Sequence, residues 1–376
     1  MFVLDDQNLK SYTGCFTFAR IMSDMLVQKK SPGAVANWLL IGVGMLIVQI
    51  LLGGITRLTG SGLSITEWNI ITGTLPPLNE QQWLLEFEKY QNTPQYQLLN
   101  TDFNLRDFKF IFFWEWFHRF WARLLGVVFL IPFIYFLIRG YFKKEMVKPL
   151  IILFLLGALQ GAVGWIMVAS GLTGDAVYVK PTRLALHFIF AMGLLCYTYW
   201  FALQLLVPSH QKVHYPALKN FTWLLVALLV IQFIYGALMA GHKAATAAYT
   251  WPDINGSYFP EFMFGEPAGL MNLIENKITI HFIHRNLAYI LFVLVIIWTV
   301  KAYKFSGSKL FNSQKKWPMI WILIQVVLGI LTVITSLKIV PNQWGIFEWM
   351  AQLHQLVAMM FLLSLVNMIF LLKKAG

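Results

Sequence analysis

Long unbroken apolar runs, separated by short polar breaks, set the pattern of this chain. Eight stretches reach the roughly 20 residues a helix needs to cross the hydrocarbon core of a bilayer. They lie at 38–57, 110–138, 147–169, 184–206, 218–240, 277–299, 317–336 and 346–371. None alternates apolar and polar residues, as a lipid-facing barrel strand does, so an outer-membrane barrel is excluded. Lipid offers the backbone no hydrogen-bond partner, and a continuous run of this length is therefore read as a helix. The pattern predicts an all-α polytopic membrane protein with eight transmembrane helices. Two longer polar segments interrupt the rhythm, at 58–109 and 241–276.

Composition agrees. Of 376 residues, 58% are hydrophobic and 12% charged, against roughly 45–50% and about 25% in soluble domains. A soluble, disordered or fibrous protein is ruled out. The net charge of +12 invites a nucleic-acid partner until the charges are placed. Seventeen Lys and Arg fall in the N-tail, in the 139–148, 207–219 and 301–316 loops and in the C-tail; nine fall in the intervening segments on the other side. By the positive-inside rule both termini are cytoplasmic, and 58–109 and 241–276 face outward. The basic excess thus serves topology, and nucleic acid is excluded. The tail at 1–37 lacks the charged-then-apolar leader of a signal peptide and the acid-poor character of a transit peptide. Two cysteines, Cys15 and Cys196, support neither a disulfide framework nor a cysteine metal site.

The two halves repeat each other. Glu115-Trp-Phe-His118-Arg119 in the second span matches His281-Phe-Ile-His284-Arg285 in the sixth. Leu186-His187 and Leu353-His354 match in the fourth and eighth, each followed four residues later by Ala-Met. All four odd spans carry Gln-x-x-x-Gly: Gln49/Gly53, Gln160/Gly164, Gln232/Gly236 and Gln325/Gly329. A duplicated four-helix unit follows, with one bundle over 38–206 and another over 207–376. Four spans per copy insert the same way up, so the pseudo-twofold axis should run along the membrane normal. A Gln in lipid needs a partner and should face the bundle interior; a Gly permits close approach.

The matched histidines carry the chemistry. His118, His187, His284 and His354 should lie roughly 6–10 Å below the outer surface, given the helical rise. Ionisable groups at such depth read as functional. Two facing imidazoles in a four-helix bundle suit axial ligation of haem iron. A structural zinc site wants four convergent ligands, and each half offers two or three. Arg57, Arg119, Arg123, Arg183 and Arg285 lie near the outward ends, where they are available to pair with anionic propionates. Glu115 lies one helical turn before His118, on the same face, and His281 takes its place in the second half. A carboxylate there can accept a proton or stabilise a cation developing at the macrocycle edge. His281 is a third imidazole or a partner to the ligands; His242 reads as structural, and His210 and His214 as solvated. Trp114, Trp116, Trp121, Trp344 and Trp349 read as an interfacial aromatic belt.

These residues resemble the haem A synthase family, in its mitochondrial and proteobacterial class. The resemblance covers nearly the whole chain. It rests on Gly53-Gly54-Ile-Thr-Arg57-Leu-Thr-Gly60-Ser61-Gly62-Leu-Ser64, Glu67-Trp68 and Ile71-Thr72-Gly73-Thr74-Leu75-Pro76-Pro77. It also rests on Glu115-x-x-His118-Arg119, Trp251-Pro252 with Asn255-Gly256, His284-Arg285 and His354-Gln355. It implies oxidation of the C8 methyl group of haem O to the formyl group of haem A, for terminal cytochrome oxidases, in a bacterial cytoplasmic (inner) membrane. It implies a haem b cofactor on His284 and His354. It implies a substrate haem at His118 and His187, with Glu115 catalytic. A farnesyltransferase that makes haem O and cytochrome oxidase assembly factors are the implied partners, and homo-oligomerisation stays open. Some members carry a cysteine pair in the first outward loop; this chain has none there, so a thiol relay is not available to it. A di-haem b-type electron-transfer cytochrome is the alternative reading.

Overall fold

A computed structural model describes residues 32–68, 72–340 and 343–373. Most of the expected N-tail, including Cys15, lies outside these residues. Eight long helices carry the eight predicted spans: α1 (Pro32–Leu58), α2 (Leu105–Ile138), α3 (Lys144–Ala169), α4 (Pro181–Leu206), α5 (Pro216–Gly241), α6 (Lys277–Tyr303), α7 (Trp317–Ile334) and α8 (Ile346–Leu371). All eight are long and apolar enough to cross a membrane. Most run past the predicted span, because a helix can continue into water once the apolar run has ended. The clearest case is α2, where Asn104 and Asp107 form a reciprocal capping box one turn outside the apolar stretch. The seventh helix instead stops at Ile334, and Ser336–Lys338 tighten into a 3₁₀ turn. Pro132 and Pro149 stand inside α2 and α3 without ending them.

In the first half, α1 packs on both α2 and α4, and α3 packs on α4. In the second, α5 packs on α6 and α8, and α7 packs on α6 and α8. Across the halves, α4 lies on α5, and α8 lies on α1 and α4. The most central helix is α8: 67% of its apolar window is buried, against 6% for α2. Lipid-facing positions such as Ile131, Ile138 and Leu155 stay exposed, as expected where the solvent is hydrocarbon.

The packed cores lie away from the long loops. Trp38, Phe136, Leu150 and Phe201 form one; Leu225, Trp298, Met359 and Phe361 belong to the other. Trp298 is fully buried and donates its indole N–H to Thr222 Oγ1 at 2.9 Å, which satisfies both polar groups in an apolar setting. The two histidine-bearing helices of each half, α2 with α4 and α6 with α8, share side chains in these cores without extensive backbone contact.

The 58–109 segment folds over α2. Its helices Glu80–Gln91 and Pro94–Leu99 start on side-chain caps from Asn79 and Thr93. Tyr90, Phe103, Phe108 and Phe112 form a small aromatic core with the outer turns of α2. Burial pushes the Tyr90 phenol up to about 12; its oxygen accepts from Asn100 and donates to Gln95. These contacts fasten the two loop helices to the outer turns of α2.

Candidate haem-binding site

Each of the four matched histidines is gripped by the odd-numbered helix before it. Gln49 Nε2 lies 3.3 Å from Nδ1 of His118 and 3.2 Å from its main-chain carbonyl. Gln160 treats His187 the same way, at 3.2 and 3.1 Å. Gln232 Nε2 lies 3.4 Å from Nε2 of His284 and 3.0 Å from its carbonyl. Gln325 Nε2 lies 3.2 Å from Nε2 of His354, whose Nδ1 faces the Gln325 carbonyl at 3.2 Å. The glycine one turn further along sits against the Cε1 edge of the same ring in every case: Gly53, Gly164, Gly236 and Gly329.

His284 and His354 lie with ring centroids 6.4 Å apart and planes at 71°. Metal–imidazole bonds are about 2 Å, and a ring centre lies about 1 Å beyond its nitrogen, so two imidazoles trans on one metal have centroids roughly 6 Å apart. The spacing suits a flat macrocycle held between α6 and α8. The donor set, two neutral nitrogens and no carboxylate, suits haem iron. Among the described residues no group of three or more His, Cys, Asp or Glu converges, so the zinc alternative has no donor set there.

Glu115 is 2% exposed and fully engaged. Its Oε2 accepts from the Ser64 hydroxyl at 2.8 Å and the Ile65 N–H at 2.9 Å; its Oε1 accepts from Arg119 at 2.6 Å. Arg119 also donates to the carbonyls of Glu67 and Ile65, at 2.9 and 3.2 Å, and lies over the Trp68 ring. The second half repeats this with other chemistry. Arg285 donates to the carbonyls of Thr250, Pro252 and Asp253, and faces His281 Nε2 at 3.1 Å. Glu115 and His281 therefore occupy one structural role, beside an arginine that pins an outer loop.

The arginines singled out in the sequence fall into different places. Arg119 and Arg285 are committed to loop carbonyls. Arg57 donates to the Ala240 carbonyl at the end of α5, at 3.2 Å, and so bridges the halves. Arg183 donates to the Ile166 carbonyl at 2.9 Å. Arg123 lines, with Arg119, Trp116 and Ile65, a cavity beneath the first loop. His242, just past the end of α5, has its Nε2 2.8 Å from the Ile274 carbonyl and 3.7 Å from Glu275 Oε2. Trp116 and Trp121 are more than a belt, since their indoles donate to the carbonyls of Thr74 and Met45.

The loop that receives Arg285 is built from its own short-range bonds. Asn255 and Gly256 take positive φ, of 53° and 90°, which these two residue types tolerate best. The Thr250 hydroxyl and the Gly256 N–H both donate to Asp253 Oδ1, at 2.6 and 2.8 Å. They hold the Asp253 carboxyl below the usual carboxylate range.

Sequence reasoning missed the partners of Glu115 and the pairing of each Gln-x-x-x-Gly with one histidine. The second had a signal: four motif copies on odd spans and four histidines on even ones.

A family model described as cytochrome oxidase assembly protein matches residues 36–366. A haem A synthase of Flavobacterium psychrophilum is 40% identical over 337 residues, 89% of this chain and 96% of that one. One of Rhodospirillum centenum is 43% identical over 308 residues, 81% and 82% of the two chains. One of Bradyrhizobium diazoefficiens is 42% identical over 312 residues, 82% and 86%. No solved structure matches.

Proposed function

Since the chain belongs to the family of cytochrome oxidase assembly proteins, we propose that it is a haem A synthase, a membrane oxidoreductase that converts the C8 methyl group of haem O to the formyl group of haem A. The observation that carries the reading is the 6.4 Å spacing of the His284 and His354 rings, on α6 and α8. In this reading they would hold the iron of a resident haem b. When bound, that group supplies a one-electron acceptor within the membrane.

His118 and His187 receive the substrate haem in the first half. Packing supports the division of labour. In the second half α6 and α7 pack together. In the first, Phe129 of α2 stacks on Phe154 of α3 without extensive backbone contact between the two helices. Gly126, Gly157, Gly161 and Gly193 there have open space where a Cβ would stand. A site that exchanges a large, lipid-tailed substrate needs such an opening; a resident cofactor does not.

Glu115 takes the proton lost at the reacting carbon or stabilises positive charge at the ring edge. Ser64 and the Ile65 N–H orient the carboxylate, and Arg119 balances its charge. The first loop, folded over α2, excludes water from that edge. Arg57, Arg119, Arg123 and Arg285 place positive charge where propionates would lie, directly or through the loops they hold. Both termini are cytoplasmic, and the two sites lie near the opposite face. A haem O-producing farnesyltransferase and cytochrome oxidase assembly factors are the proposed partners.

The test is haem extraction and mass analysis from membranes that express the chain with a haem O source. The expected result is the C8 alcohol and aldehyde. Reversible low-spin haem spectra with an unaltered porphyrin would instead assign a di-haem electron-transfer cytochrome.

A further inference from the structure

We propose that the segment 258–273 is an interfacial anchor, seated in the outward leaflet beside the start of α6, and that the partner of its apolar side chains is lipid. The inference does not depend on the haem reading. It rests on where α6 enters the membrane and on what stands exposed beside that point.

Tyr258, Phe259, Phe262, Phe264 and Leu270 are each between 66% and 83% exposed. Contiguous apolar surface of this kind marks an interaction site. Hydrogen bonds fix its height. The side-chain amides of Asn276 and Asn272 donate to the carbonyls of Phe262 and Gly265, at 3.0 and 2.8 Å. The Thr279 hydroxyl donates to the Met263 carbonyl at 2.8 Å. Asn276 is also the N-cap of α6, and Thr279 lies in its first turn. The turn at Glu261–Phe264 is therefore tied to the level at which a membrane-spanning helix begins.

The cluster is continuous with the face that α6 turns to lipid. Phe259 packs on Phe282 with ring centroids 5.8 Å apart. Phe282 lies roughly 8 Å along α6 from Lys277, given the helical rise. Tyr289, Val293, Ile297 and Val300 follow on the same face by the helical repeat, and all four are exposed. Phe259 extends that stripe to the bilayer surface. Aromatic side chains are favoured at that level.

Charge sets the depth. No Lys or Arg occurs between 258 and 276, while Glu261, Glu266 and Glu275 do. A carboxylate is costly in hydrocarbon, so the backbone stays among the headgroups and the apolar side chains reach below it, as in other interfacial segments. Attraction to anionic lipid has no part in this contact. The loop that Arg285 pins at Thr250 and Pro252 is thereby fastened at its other end as well.

The experiment places single nitroxide labels on the full-length protein in phosphatidylcholine nanodiscs, in a Cys15→Ser, Cys196→Ala background. Phe262→Cys, Phe264→Cys and Leu270→Cys carry the label in turn. Val293→Cys is the lipid reference, and Asp102→Cys, an exposed position of the first loop, is the aqueous one. EPR power saturation compares collisions with oxygen, which concentrates in lipid, and with a water-soluble nickel chelate. The oxygen-to-nickel ratio at all three sites should rise well above that of Asp102→Cys towards that of Val293→Cys, and added salt should leave it unchanged. A ratio equal to that of Asp102→Cys would overturn the anchor. Low collision rates with both reagents would mean that protein covers the segment, and would overturn the lipid assignment in favour of a second copy of the chain. The unlabelled Phe262→Ser, Phe264→Ser, Leu270→Ser triple variant guards against disturbance by the label. It should be cleaved several-fold faster than wild type within 258–273 in the same nanodiscs, and equal rates would also overturn the anchor.

Discussion

Gln355 donates its amide proton to the main-chain carbonyl of Ile50 at 3.0 Å, and these two residues are the chain neighbours of His354 and Gln49. One hydrogen bond thus joins the helix that carries a second-half ligand to the helix that grips a first-half ligand. Gln352 adds a parallel bond to the Leu51 carbonyl at 2.9 Å. Arg57 closes the same seam nearer the loops by reaching Ala240 on α5. The repeat does not copy the glutamine pair: Ala185 and Phe188 stand at the matching positions of α4, where Phe188 packs edge-on against Phe233 of α5 at 5.7 Å. The halves are therefore joined by a polar seam on one side and an apolar one on the other.

Loosening the polar seam should separate the halves before it empties either. A neutral buried hydrogen bond contributes about 1 kcal/mol, so Gln352→Leu with Gln355→Leu should cost about 2 kcal/mol. Gly54→Leu should cost more, because even a Cβ at Gly54 would lie 2.5 Å from both glutamine Oε1 atoms. Thermal unfolding in detergent, followed by haem absorbance, checks the order.

Glu115→Ala should abolish C8 oxidation while leaving the haem on His284 and His354. It also strips Arg119 of its partner, and removing one member of a buried pair costs roughly 3–5 kcal/mol. The carboxylate's chemistry and its structural duty are separated by Ser64→Ala. That change removes one of the bonds to Glu115 and should lower stability by roughly 1.5–3 kcal/mol, with product still formed. Product analysis alongside thermal unfolding reads both.

Arg285→Lys should free the 250–253 loop. A lysine cannot serve three carbonyls at once, as the guanidinium fork does. The expected outcome is faster proteolysis within 250–260 with second-half haem retained. Loss of that haem, at unchanged loop protection, would instead place Arg285 on a propionate.

The same loop should respond to acid. Asp253 has its carboxyl depressed in the folded protein, chiefly by the Thr250 hydroxyl and the Gly256 N–H. Its contribution is present above the unfolded carboxylate value of about 3.9 and is lost as pH falls through the lower folded value. Loop protection should hold from neutral pH to about 5 and fade only below about 4, and Asp253→Asn should flatten that profile. Limited proteolysis across the pH series checks it.

Eight spans, their approximate limits, the internal repeat and the four histidines were all legible in the order of residues. Hydrocarbon accepts a backbone only as a helix or a closed barrel, so the length and continuity of an apolar run decide the element. Histidine and glutamine stand out because polar groups at that depth are expensive. The pairing of Gln49 with His118, the loop carbonyls that take up Arg119 and Arg285, and the Ser64 and Ile65 donors around Glu115 were decided in three dimensions. Each depends on how one helix is rotated against the next, or on where a long loop returns. An apolar stripe cannot set that rotation where the surrounding solvent is itself apolar. Close contacts at glycine and a few interhelical hydrogen bonds set it, and those form only once the bundle has closed.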